Sequence, residues 1–180
     1  GLGWDVSSYY GKHEADFFIN NTVNASMGAA TPRDFDPGSY RQVETSVNAD
    51  FTYSMSEAVS LAFGAEYRNE EFTIGAGDEA SYTVGVLGDQ GFSLSSNGFP
   101  GFSKSIAGVF DRSNYAAYLE AEWDVSDDLL LTSALRFEDF EDFGTTTNYK
   151  VGGNYHLTDN SGIRATYSTG FKAPTPGQSN

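Results

Sequence analysis

The chain has 180 residues, a formal net charge of −15 and no cysteine. Ten Lys plus Arg against 25 Asp plus Glu leave no basic face for a phosphate backbone, so nucleic-acid binding is excluded. The missing thiols exclude disulfide staples and thiolate metal sites. Eleven Tyr, 14 Phe and 20 Gly favour β-structure over helix. No stretch approaches the ~18 consecutive apolar residues of a membrane helix. That says nothing of a membrane β-barrel, whose signal is alternation.

Period two runs along the chain. The first strand is expected over residues 4–11, with Trp4, Val6 and Tyr10 on one face and Asp5, Ser7 and Tyr9 on the other. Residues 42–53 set Val43, Val47, Ala49, Phe51 and Tyr53 against Glu44, Ser46, Asn48 and Asp50. In 59–68, Val59, Leu61, Phe63, Ala65 and Tyr67 oppose Ser60, Ala62, Gly64, Glu66 and Arg68. In 114–123, Tyr115, Ala117, Leu119, Ala121 and Trp123 oppose Asn114, Tyr118, Glu120 and Glu122. Leu129, Leu131, Leu135 and Phe137 then oppose Thr132, Ala134, Arg136 and Glu138. Tyr149, Val151, Gly153, Tyr155 and Leu157 oppose Asn148, Lys150, Asn154 and His156. The last expected strand, 163–172, sets Ile163, Ala165, Tyr167 and Phe171 against Arg164, Thr166, Ser168 and Lys172, before Pro174 and Pro176 interrupt it.

The fold class expected is therefore all-β: an antiparallel up-and-down meander of about seven long strands, part of a transmembrane β-barrel. Strands of roughly 8–13 residues exceed the ~5–6 of globular sheets and suit the ~9–11 needed to cross a bilayer. Three connections are expected to be short, at 54–58, 126–128 and 158–162. Two are expected to be very long, at 12–41 and 69–112, and one intermediate, at 138–147. In a meander that alternation puts short turns at one end and long loops at the other, as in outer-membrane barrels. Tyr53, Trp123 and Leu157 precede short turns on the apolar face. Tyr10, Tyr67, Tyr115, Phe137, Tyr149 and Phe171 lie on that face toward the long loops. Two aromatic girdles around an aliphatic band are what lipid selects. The competing expectation is a soluble secreted β-sandwich serving binding or adhesion, with the same face as its core.

The run SNYAAYLEAEWDVSDDLLLTSALRFEDFEDFGTTTNYKVGGNYHLTDNSGIRATYSTGFKAPTPGQ, residues 113–178, resembles the barrel of a TonB-dependent outer-membrane receptor. NGFPGF at 97–102 and WDVSSYYGKHEADFFINNTVNASMG near the start fit the same family. The resemblance implies a receptor in the bacterial outer membrane that imports a scarce nutrient: an iron chelate, cobalamin or a glycan. It implies outer-membrane lipid and the TonB complex as partners, the latter through a plug region. It implies no enzymatic chemistry and no cofactor. Residues 1–180 carry no plug-like segment and no closing aromatic strand, so the expectation is an internal portion of the barrel domain.

For ligand contact the expected residues are Tyr82, Phe92, Phe99 and Phe102, aromatics on the glycine-rich long loop. Sugar rings or chelates stack on such groups; packing against neighbouring loops is the competing role. The polar residues Glu66, Arg68, Glu120, Arg136 and Glu138 are expected to face a hydrated lumen, with Glu120 and Glu122 near Arg136. The cluster Glu138, Asp139, Glu141 and Asp142 lacks EF-hand spacing and is read as a solvated apex rather than a metal site. His13 and His156 lie far apart in sequence and are read as ordinary polar residues. No Gly-x-Ser-x-Gly elbow occurs. Asn20-Asn21-Thr22 and Asn24-Ala25-Ser26 match the glycosylation pattern only formally.

Overall fold

The computed structural model describes residues 1–174. Seven strands hydrogen-bond in chain order as one sheet. They are β1 (Leu2–Ile19), β2 (Phe35–Ser54), β3 (Val59–Ala76), β4 (Gly108–Ser126), β5 (Leu129–Phe140), β6 (Gly144–Thr158) and β7 (Ser161–Ser168). β4 pairs with β5, β5 with β6 and β6 with β7, all antiparallel. Among the described residues, helical structure is confined to α1 (Glu79–Tyr82) and two 3-10 turns, Ala25–Ala30 and Gly88–Gln90. The meander expected from alternation is therefore present.

Contacts divide the chain into two compact units, each described by itself below. One holds Gly1–Tyr10, Glu44–Asn69 and the chain from Arg112; the other holds Gly11–Val43 and Glu70–Asp111.

In the first unit, the two sheet faces differ in what they leave uncovered. Leu119, Leu131, Leu135, Phe137, Val151, Tyr155, Ile163 and Tyr167 are all exposed, Leu135 to 51%. The opposite face carries the charged side chains, and there Glu66 and Glu138 keep only 13% and 14% of their surface. A water-soluble sheet does the reverse, because apolar area left in water costs about 25 cal/mol per Å². No second sheet covers the apolar face among the described residues. In the sandwich alternative that face would be the core; here it stands bare. Tyr53, Trp123 and Leu157 mark one edge of that face. Tyr67 and Tyr115, with ring centroids 5.0 Å apart, and Tyr149 and Tyr167, at 6.0 Å, mark the other.

The short turns lie where expected, at 55–58, 127–128 and 159–160. The long connections need correction. Residues 12–19, 35–41, 69–76 and 108–112 are strand, so the true loops are 20–34 and 77–107. Pro37 and Gly38, within the connection expected over 12–41, both sit inside β2. Gly38 takes φ +110, and the Pro37 carbonyl accepts from the Phe102 amide at 2.8 Å.

The connection expected over 138–147 shrinks to 141–143. Phe140 pairs with Gly144, whose φ of +83 is the left-handed residue that closes a three-residue hairpin. This breaks the strict alternation of short and long connections.

Strand β7 ends at Ser168, not at Lys172. The Thr169 amide still donates to the Tyr149 carbonyl at 2.9 Å, but Tyr149 N–H donates to the Thr169 hydroxyl at 3.0 Å. A side chain has taken the place of the backbone acceptor, and the ladder stops. Phe171 leaves the sheet face and packs on Phe143 and Phe140, at 5.8 and 6.2 Å. Arg112, only 4% exposed, holds this segment through Nη1, which donates to the Pro174 carbonyl at 2.7 Å. Its guanidinium also stacks over Phe140 and Phe143 at 5.6 and 5.4 Å. Pro176 lies outside the described residues.

Candidate functional site: a cross-linked charged face and a folded loop assembly

On the charged face of the first unit, ion pairs follow one another across the strands. Glu44 on β2 contacts Arg68 on β3 at 3.7 Å, and Arg68 contacts Glu66 at 2.6 Å. Glu66 contacts Arg136 on β5 at 2.9 Å, and Arg136 contacts Glu138 at 3.1 Å. Two guanidiniums therefore serve three carboxylates. Nearby, Tyr118 O–H donates to Asp50 at 2.6 Å, and Lys150 on β6 contacts Glu120 on β4 at 3.2 Å.

Register explains the Lys150–Glu120 link. Glu120 stands opposite Ala134, and Ala134 opposite Lys150, so the lysine reaches across a strand whose side chain is one methyl. Ala116 on β4, opposite Glu138, is likewise small and is 94% covered (6% exposed) beside the Arg136 network. Arg136 itself lies opposite Tyr118. This corrects the expected neighbourhood of Glu120 and Glu122 with Arg136: Glu120 pairs with Lys150 instead. Replacing Arg136 by Leu takes the guanidinium from Glu138 and leaves Glu66 with Arg68 alone, both carboxylates being largely covered. Breaking a buried pair costs ~3–5 kcal/mol, and partial exposure lowers the expected loss to about 2 kcal/mol. Denaturant unfolding of the intact receptor checks it.

The expected acidic cluster is taken apart by the fold. Glu138 serves Arg136, while Asp142 lies 3.5 Å from Arg112. Glu141 accepts from the Ser113 amide at 3.1 Å and its hydroxyl at 2.8 Å. The Ser113 hydroxyl and amide hold the Glu141 carboxyl below its ordinary range. Asp139 is exposed, opposite Thr145. Among the described residues no group of three or more His, Asp or Glu is arranged to hold a metal ion. His13 falls within β1 rather than in a loop, and His156 within β6.

The second unit is the loop assembly, and it has a core of its own. Phe17 stacks on Phe99 at 4.9 Å, Tyr40 on Phe102 at 4.6 Å, and Tyr40 also meets Phe72 at 5.3 Å. Phe102 and Phe35 are buried. Each aromatic pair contributes ~0.5–1.5 kcal/mol beyond its buried area.

A polar centre lies beside this cluster. Asn24, Ser26 and Ser81 have no exposed surface. The Asn24 amide donates to the carbonyls of Ala80 and Thr83, both at 2.9 Å, and its oxygen accepts from Ser26 Oγ at 2.6 Å. It thereby satisfies carbonyls at the end of α1 that the helix cannot. Asp78 caps the other end, accepting from Ser81 N–H at 2.8 Å.

Loop 77–107 is also sewn to β2. Gly77 N–H donates to Phe102 O at 2.9 Å and Asp78 N–H to Asp36 O at 2.7 Å. The loop glycines, expected to provide flexibility, serve packing instead at Gly101: a Cβ there would overlap the Ser81 side chain.

The structure therefore sorts the expected ligand contacts. Phe99 and Phe102 belong to the aromatic core, and Phe102 is not displayed. Tyr82 ends α1 half-buried, and Phe92 is exposed. Sequence reasoning missed Arg112 and Asn24. No local pattern conveys their roles, since each acts on backbone carbonyls distant in sequence.

A single antiparallel meander with a bare apolar face, aromatic margins and a cross-linked charged face is the wall of a transmembrane β-barrel. The family model described as "TonB dependent receptor-like, beta-barrel" matches residues 1–180, and the chain belongs to that family. Similar curated proteins include the "Vitamin B12 transporter BtuB" of Vibrio vulnificus (strain CMCP6). It is 28% identical over 158 residues, 87% of this chain and 23% of the relative. The "Vitamin B12 transporter BtuB" of Vibrio cholerae serotype O1 (strain ATCC 39541 / Classical Ogawa 395 / O395) is 39% identical over 67 residues. That match covers 36% of this chain and 10% of the relative. The chain thus spans less than a quarter of the length of these relatives. The family comprises nutrient-uptake receptors, not enzymes, and its barrels sit in the outer membrane of Gram-negative bacteria.

Proposed function

We propose that this chain forms part of the wall and outer loops of a receptor that captures a scarce nutrient outside a Gram-negative cell. The receptor then admits it through the barrel under the action of the TonB complex on a plug region. The observation that carries this reading is the full-length family match on a sheet whose apolar face is bare. The bare face contacts outer-membrane lipid. Glu66, Arg68, Glu120, Arg136 and Glu138 line the hydrated lumen, where their mutual pairing lets an acidic wall remain rigid.

Cobalamin is the first ligand to test, because the similar proteins above are named vitamin B12 transporters. Iron chelates and glycans are the other classes. The test is growth of a strain lacking the receptor, complemented with the intact gene, on each nutrient as limiting source, together with equilibrium binding. Binding of none of the three classes sinks the reading.

Loop 77–107 is the capture surface in this proposal, with Phe92 and Tyr82 displayed on it. Phe92→Ala is expected to weaken ligand binding about tenfold, the scale of one lost aromatic contact. It leaves unfolding unchanged, since the ring is exposed. Unaltered affinity assigns capture to other loops.

A further inference from the structure

We propose that a trough on the bare apolar face, at its short-turn end, seats one acyl chain of a phospholipid whose headgroup carries an amine. The trough arises from side-chain size along three aligned rows. Ala121, Ser133 and Val151 stand opposite one another on β4, β5 and β6. The next row toward the long loops is Leu119, Leu135 and Tyr149, and the next toward the turns begins with Trp123 and Leu131. That last row ends at Gly153, and a hollow of about 470 Å³ lies over Ala121, Ser133 and Val151, bordered by Trp123, Leu131 and Val59. That lies within the ~300–1,000 Å³ of small-molecule pockets. Its lining is almost wholly carbon, which suits a hydrocarbon chain and no polar ligand.

Two observations choose the occupant. The hollow is continuous with the exposed face that the fold presents to lipid, so its surroundings already contact acyl chains. The turns at this end carry Glu57, Asp127, Asp128 and Asp159 and not one Lys or Arg. Four carboxylates at the membrane surface repel an anionic headgroup and attract an ammonium. They also oppose a second copy of this chain at the same place, which would bring two sets of acidic turns together.

The experiment uses the intact receptor, purified and exchanged into nanodiscs of equal phosphatidylethanolamine and phosphatidylglycerol. Native mass spectrometry then counts the lipid that stays bound. Wild type is expected to retain one phosphatidylethanolamine in preference to phosphatidylglycerol. Ser133→Leu fills the trough while keeping the face apolar, and is expected to lower that retention about tenfold. Ala117→Leu, on the same face but outside the trough, leaves retention as in wild type. Asp127→Asn with Asp128→Asn removes the preference for the amine headgroup while chain retention persists. Heat-modifiable migration on gels confirms that each variant is folded. Equal retention in Ser133→Leu and wild type overturns the proposal. So does a preference for phosphatidylglycerol, or a dimer that Ser133→Leu abolishes.

Discussion

Leu135→Arg is expected to lower the stability of the intact receptor in bilayers by about 2–4 kcal/mol, whereas Thr132→Arg on the same strand costs less than about 1 kcal/mol. Both substitutions add one guanidinium to β5. Leu135 points from the exposed apolar face, near the middle of the strand, where a charge meets hydrocarbon. Thr132 stands opposite Glu122 and borders a polar hollow of about 310 Å³ that Glu120, Lys150 and Arg164 also line. A guanidinium there finds water and a carboxylate. Urea titration of the two variants folded into vesicles, read by tryptophan fluorescence, gives the comparison. The informative quantity is the difference, because propensity and chain entropy are nearly shared. Equal costs contradict the assignment of the bare face to lipid.

Asn24→Ala is expected to destabilise the loop assembly by about 3 kcal/mol. The substitution removes a fully buried amide and abandons the Ala80 and Thr83 carbonyls and the Ser26 hydroxyl together. Asn20→Ala is the matched control. That asparagine is exposed, and the expected change is within about 0.5 kcal/mol. Hydrogen exchange on the intact receptor reads the effect locally: amides of 77–107 lose protection in Asn24→Ala, while those of β5 and β6 keep theirs. Unaltered exchange across 77–107 contradicts a loop held together by Asn24.

The two asparagines show what sequence conveys and what it withholds. Each heads an Asn-x-Thr or Asn-x-Ser triplet, and nothing local separates the exposed one from the buried one. Asn24 matters only because the chain near residue 80 returns to it, a fact that no window along the chain contains. The wall was far more legible. Alternation at 42–53 and 114–137 already assigned Val47, Leu119, Leu131 and Leu135 to one face and Glu44, Glu120 and Arg136 to the other. A period of two is a local property that the backbone enforces residue by residue.

The errors fell where another interaction replaced the ladder. Pro37 and Gly38 fall in a stretch expected to be loop, yet they lie in β2, where the Phe102 amide donates to the Pro37 carbonyl. Gly144 carried a usable signal, since a glycine after a three-residue run is the mark of a tight hairpin. Its neighbours Glu141 and Asp142 drew the reading toward a solvated apex. Loop aromatics were found but not sorted, because burial of Phe102 and exposure of Phe92 depend on Phe17 and Tyr40, far away in sequence.

The alanines beneath the charged links carry a consequence for how such a wall tolerates drift. Lys150 reaches Glu120 only because Ala134 adds a single methyl between them. A neutral enlargement at 134 therefore acts as an electrostatic lesion, silencing a pair in which neither member has altered. In a saturation scan Ala134 would be grouped with Glu120 and Lys150 by its epistasis, not with other aliphatic positions by its chemistry. Covariation is expected to follow such triplets across three strands, which a pairwise map would register as two weak edges in place of one strong constraint.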